Sequence, residues 1–190
     1  TVYHVLYPDA PAKRQVDKIM LLLGGDHGEL PVTLDCELDR GQHFSKIAAT
    51  VFQCAVLLED KTGKKPIIYS RANWIDLHIT GTGSTPNWLN DYDYWLAQYL
   101  REPKEHPGPP NLPKGVSRNR VIIHQTSERG APIGSQARQQ DYNRWQGDLA
   151  SFYRYIGKTA PPDDDPSTPL TLEERIERLE KAARQNGWQI

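Results

Sequence analysis

The sequence predicts an α/β protein, a parallel sheet or barrel whose chemistry gathers at the C-terminal rim of its strands. Three observations carry that prediction. Apolar runs of strand length alternate with helical periodicity in the order strand, helix, strand, helix, strand. Polar residues collect at the C-terminal ends of the strands, where parallel α/β folds place their sites. One strand, Leu30 to Leu38 (L-P-V-T-L-D-C-E-L), also ends in two acids one residue apart.

The elements follow along the chain. Val2 to Leu6 reads as a strand. Asp9-Ala10-Pro11 is a helix-start signal with Pro early in the first turn. Val16, Ile19, Met20 and Leu23 then recur at helical spacing up to Gly24-Gly25. The acidic strand spans 31 to 37. Phe44, Ile47, Ala48, Val51, Phe52, Ala55 and Leu58 mark one face of a long helix closed near Gly63. Lys64 to Ser70 is a strand, Arg71 to Leu77 a short helix or turn, and Thr80 to Ser84 a loop too degenerate to hold phosphate. Thr85 to Leu89 suits one helical turn. Asp93 to Tyr99 is an aromatic-rich strand, residues 102–115 a Pro/Gly-rich loop, and Arg120 to Thr126 a further strand. Gly130 to Gly134 is a turn-rich connection, and Gln139 to Trp145 precedes a final aromatic segment, Phe152 to Ile156.

Beyond this domain, residues 1–158, a Pro/Asp-rich linker is expected over 159–170. A T-x-x-E capping box at Thr171 to Glu174 then opens an amphipathic helix expected over 171–190. Glu–Lys and Glu–Arg pairs four apart support it by a few tenths of a kcal/mol each. So short a helix is marginal alone, so its stripe is expected to dock on the domain or to pair with a second copy through 171–186.

Composition narrows the function. The chain has 190 residues, 37% hydrophobic and 25% charged, enough for one domain with its own core plus a tail. A net charge of −1 without a dense basic patch argues against nucleic acid as partner. No apolar run approaches the roughly 20 residues that span a bilayer. No signal peptide is visible. The six histidines lack metal-ligand spacing, so no metal and no cofactor are expected. Cys36 and Cys54 read as two buried free thiols.

Side chains alternate along a strand, so Asp35 and Glu37 share one side and Cys36 takes the other. An unpaired buried carboxylate is expensive, so the pair is either a salt-bridged strand end or a site. Tyr3 and His4, Tyr69, Trp95, Ala97, Tyr99, Gln125 and Asp141 complete the polar and aromatic set at or near strand ends. Acids among tyrosines and tryptophans suit carbohydrate cleavage: rings stack on sugars, and one carboxyl group must protonate the glycosidic oxygen. Two residues along a strand advance about 6.6 Å. That spacing is compatible with both retaining and inverting geometries. Glu37, flanked by Asp35 and partly enclosed by aromatics, is expected to hold its proton more tightly than usual.

The blocks L-P-V-T-L-D-C-E, K-K-P-I-I-Y-S, Y-W-L-A-Q-Y, I-I-H-Q-T-S-E-R-G and Q-Q-D-Y-N-R-W-Q-G, in this order, resemble the glycoside hydrolase family 25 lysozymes. These are the Chalaropsis-type N-acetylmuramidases of peptidoglycan. The likeness runs from about Tyr3 to Gly147, and Q-V-D at 15–17 fits the helix after the family's third strand. It implies a flattened, TIM-like (β/α) barrel and retaining hydrolysis of the β-1,4 bond between N-acetylmuramic acid and N-acetylglucosamine. Glu37 would be the general acid/base. Asp35 would assist the substrate's own 2-acetamido group as nucleophile, Asp141 matches a late acidic position, and Tyr69, Trp95, Tyr99 and Gln125 line the groove. The partner implied is the glycan strand of the bacterial wall, met by a phage or bacterial lytic protein. The family's opening D-x-S-x-x-Q-G strand, and the strand and helix after it, have no counterpart in residues 1–190, so the expected barrel lacks roughly two of its eight strands. Two other readings stand beside this one. One is a non-catalytic wall-binding or structural domain derived from such an enzyme. The other is a chitinase-like substrate-assisted glycosidase, although Leu30 and Val32 occupy positions where that group carries acids.

Overall fold

The computed structural model describes residues 1–100, 108–130 and 139–160, together with 171, 173 and 177. The chain divides into two compact units, Thr1–Lys158 and Thr159–Ile190. The linker and helix expected after residue 158 lie outside the described residues, apart from positions 159, 160, 171, 173 and 177.

Six strands form one sheet in sequence order: β1 (Tyr3–Val5), β2 (Thr33–Asp35), β3 (Ile67–Ser70), β4 (Asp93–Ala97), β5 (Val121–Gly130) and β6 (Gln140–Trp145). The first five run parallel, and β6 returns antiparallel on β5. Among the described residues β1 has a partner only in β2, so the sheet is open. The expectation is a flattened, TIM-like barrel lacking roughly two strands; the structure shows an open six-stranded sheet, whose last strand is reversed and does not bring the outer edges of β1 and β6 together.

Helix α1 (Ala12–Leu23) and helix α2 (Phe44–Thr62) make the parallel crossovers. α2 buries Ile47, Val51, Cys54, Ala55 and Leu58, a three-four spacing that forms one stripe. It stops at Gly63, whose φ of 70° needs a residue without a Cβ. The stripe packs with Val16 and Ile19 of α1 against Leu34, Cys36, Ile68, Tyr94 and Leu96 of the sheet. Each buried Leu, Ile or Val there contributes roughly 1.5–3 kcal/mol from lost water contact. Helix α3 (Ala72–Ile75) continues through a wider turn, Asp76–Thr80, and adds Ile75 and Ile79 to this core. Gly81 ends it at φ 57°, and a Cβ there would fall 2.5 Å from the Phe44 ring.

The aromatic segment expected at 152–156 belongs to helix α4 (Leu149–Tyr155). Asp148 caps it, accepting the Ser151 N–H at 2.7 Å. Trp145 at the end of β6 packs on Phe152 and Tyr155, and the Tyr155 hydroxyl donates to Asp93 at 3.0 Å. Since Asp93 and Trp145 mark the N-terminal ends of β4 and β5 on the face away from α1 and α2, α4 covers the lower end of that face. Its upper end remains the place where a site can form.

Candidate active site

The register stacks one row across the sheet: Val5, Asp35, Tyr69, Trp95 and Ile123. Alternation puts all of them on the face opposite the helical core, with Cys36 fully buried on the core side. Pairing continues past Asp35, since the Leu6 N–H donates to Asp35 O and the Cys36 N–H to Tyr69 O, both at 2.9 Å. Two residues beyond the row stand Tyr7, Glu37, Arg71, Ala97 and Gln125. Glu37 is exposed and Asp35 half-buried, so the acids share one face, one deeper than the other.

Asp35 Oδ1 is buried without a hydrogen-bond partner. Burial first, and then the negative charge of Glu37, push its carboxyl up to about 6. The raised proton affinity that the structure shows is that of Asp35, the acid sunk into the sheet.

Aromatic rings wall the neighbouring strands. Tyr69 and Trp95 meet edge to face with centroids 5.4 Å apart. The Tyr69 hydroxyl donates to Gln125 Oε1 at 2.6 Å, and the Tyr99 hydroxyl reaches the same oxygen at 3.4 Å. Burial and the Glu37 charge raise the Tyr69 phenol well above its ordinary value, so it stays a donor. Gln125 is 3% exposed, and with its oxygen occupied by two phenols its amide nitrogen is left for other partners. The Trp95 indole donates to Asn143 Oδ1 at 2.9 Å, joining β4 to β6.

Asp141 lies two residues from Asn143 on β6, exposed on the same face beyond the rim. Tyr3 is not brought to this group. It opens β1, pairs with Thr33 one row lower and is 69% exposed. His4 and His124 hold structure: one bonds Gln15 Oε1 at 3.0 Å and the other Gln98 O at 2.9 Å. Trp88 stacks on Phe52, away from the site.

Sequence reasoning missed Arg71 and Asn143. Arg71 directly follows the strand that ends in Tyr69 and Ser70, and its guanidinium lies 4.9 Å from the Tyr99 ring centroid. Asn143 had a findable signal, sitting two residues from Asp141 in a strand read from its ends alone. Two loops flank Glu37. The β1–α1 loop is pinned by Gln15, which accepts the Tyr7 N–H at 2.9 Å and donates to Tyr7 O at 2.9 Å and Ala10 O at 3.1 Å. Arg40 in the β2–α2 loop bridges to it, over the Tyr7 ring at 5.6 Å and 3.6 Å from Asp9. Among the described residues no cluster of His, Cys, Asp and Glu could hold a metal ion.

Comparison with known proteins gives the family of this α/β sheet and its paired acids. The model described as Glycosyl hydrolases family 25 matches residues 1–134, and the chain belongs to that family. The uncharacterized protein YegX of Escherichia coli strain K12 is 31% identical over 107 residues, covering 56% of this chain and 37% of that protein. The chain thus spans little more than a third of that relative's length. A bacterial lysozyme from Streptomyces coelicolor superposes with a TM-score of 0.65 at 21% identity, covering 83% of this chain and 72% of that one. A muramidase from Acremonium alcalophilum gives 0.63 at 17% identity, covering 81% and 71%. At these identities the likeness shows the fold.

Proposed function

We propose that this chain is a peptidoglycan muramidase, hydrolysing the β-1,4 bond between N-acetylmuramic acid and N-acetylglucosamine with retention. The observation that carries the reading is the common face of Asp35 and Glu37 at a rim walled by Tyr69, Trp95, Tyr99 and Gln125. Family membership supports it, since lysozymes of this family act on peptidoglycan. The substrate, a cell-wall glycan strand, lies across the rim of the sheet and is reached outside the cell or by phage delivery.

In this mechanism the sugar's acetamido N–H donates to the Asp35 carboxylate, which favours its charged form, and Glu37 acts as the proton donor. The acetamido oxygen attacks C1 as the bond from C1 to the glycosidic oxygen breaks. Glu37 protonates the departing oxygen, leaving a cyclic oxazolinium whose positive charge Asp35 balances. Water then adds to C1 from the side opposite the acetamido oxygen as the bond from C1 to that oxygen breaks and the acetamide re-forms, giving its proton to Glu37, so configuration is retained. Gln125, Tyr69 and Tyr99 orient the sugar, Trp95 stacks on it, and Asp141 accepts hydroxyls at the outer end.

A wall-binding role without catalysis is the second reading, favoured by β1, which among the described residues pairs only with β2. Clearing of purified cell walls separates the two. Wild type is expected to clear them and Glu37→Gln to fall by at least ~100-fold. Equal clearing by both would remove Glu37 from the mechanism. Mass analysis of the released fragments should show muramic acid at the new reducing ends; N-acetylglucosamine there would favour the chitinase-like reading.

A further inference from the structure

One strand over from Glu37, β3 leads into a cation that the proposed chemistry leaves unused. Asp35 pairs with Tyr69, so two residues further on Glu37 and Arg71 stand side by side, at about the 4.8 Å spacing of neighbouring strands. The Tyr99 side chain acts most strongly on Arg71 and the Glu37 charge more weakly, yet among the described residues no carboxylate comes within ion-pair distance of it. Its guanidinium is stacked over Tyr99, whose hydroxyl is turned to Gln125, so the head group is held while the residue stays exposed.

A cavity of about 530 Å³ opens beside it, within the size range of ligand sites. Its lining includes Arg71, Asn73, Asp76, Gln98 and Leu112. Two acceptors there are engaged: Asp76 Oδ1 takes the Lys114 N–H and Gln98 Oε1 the Asn111 N–H, each at 2.7 Å. The guanidinium and the amide nitrogens of Asn73 and Gln98 supply donors. A cation with spare donors and one apolar wall suits a short peptide carrying a free carboxylate.

We propose that this cavity binds the peptide stem of the muramic acid unit, with Arg71 pairing a stem carboxylate. The inference rests on the muramidase reading and adds a specificity site to it. The lactyl ether that carries the stem lies on the same sugar ring as the acetamido group, so an acid-bound sugar can send its stem one strand sideways, toward Arg71.

Isothermal titration with two soluble ligands tests this: N-acetylglucosaminyl-N-acetylmuramic acid bearing a tripeptide stem, and the same disaccharide without one. Wild type is expected to bind the stem-bearing ligand about tenfold tighter. Arg71→Gln should lose that preference, and Arg71→Lys should keep part of it, because a point charge replaces a bidentate fork. Thermal melting of Arg71→Gln at the wild-type temperature assures that the fold is intact. A wild-type preference below twofold, or one that survives in Arg71→Gln, overturns the inference. Binding of neither ligand overturns the muramidase reading itself.

Discussion

A single oxygen, Asp35 Oδ1, links chemistry to stability at the residue scale. It is buried without a partner, and its carboxyl is held up to about 6. An unfolded Asp titrates near 4. Between those values the folded chain binds the extra proton, so stability falls as pH rises through the window, and the loss is complete above about 6. With the side chain only half-buried, that loss is about 1–2 kcal/mol. Asp35→Asn, which cannot ionise, should therefore melt ~3–6 °C above wild type at pH 7 and match it at pH 4. An equal difference at both pH values would show that the carboxyl titrates normally. The same variant is expected to lose clearing activity, because an amide cannot balance the oxazolinium charge.

At the scale of elements, the loops on either side of Glu37 owe their shape to a few polar side chains. Gln15 is 6% exposed and engages both ends of the Tyr7–Ala10 turn together with His4. Gln15→Ala leaves those groups without partners at a cost of about 3 kcal/mol, or ~6–12 °C in melting temperature. A drop under ~2 °C would mean that water replaces the amide freely. What the sequence revealed of these elements follows their periodicity. The stripe from Ile47 to Leu58 and the apolar cores of β2 and β3 were visible because burial on one or both faces leaves a pattern. β6 left none: Asp141 to Arg144 are exposed on both faces, so Gln140–Trp145 had only its end residues to mark it. The site divides in the same way. Asp35, Glu37, Tyr69, Trp95 and Gln125 sit at strand ends whose relative register a periodic pattern supplies. Tyr3 was misplaced because a strand's direction decides which of its ends meets the rim, and Arg71 was missed because its importance comes from Tyr99, 28 positions away.

For the whole molecule, an open sheet of five parallel strands and one reversed strand has two very different faces. One is sealed by α1, α2 and α3; the other is filled below by α4 and left accessible above. Strand–helix alternation left a parallel sheet and an incomplete barrel both open, because alternation reports crossovers and says nothing of how the outer strands meet. The sealed face has a consequence for redox behaviour. Cys36 and Cys54 are both fully buried there, and burial pushes their thiols up, Cys54 to about 12 and Cys36 well above its ordinary value. Neither supplies thiolate at neutral pH, so both thiols resist oxidation and disulfide exchange in the folded chain. A chromogenic disulfide reagent should titrate no thiol in the native protein and both in denaturant, and rapid native labelling would show that the core opens. A sheet built this way keeps the same packed core in oxidising and reducing surroundings alike.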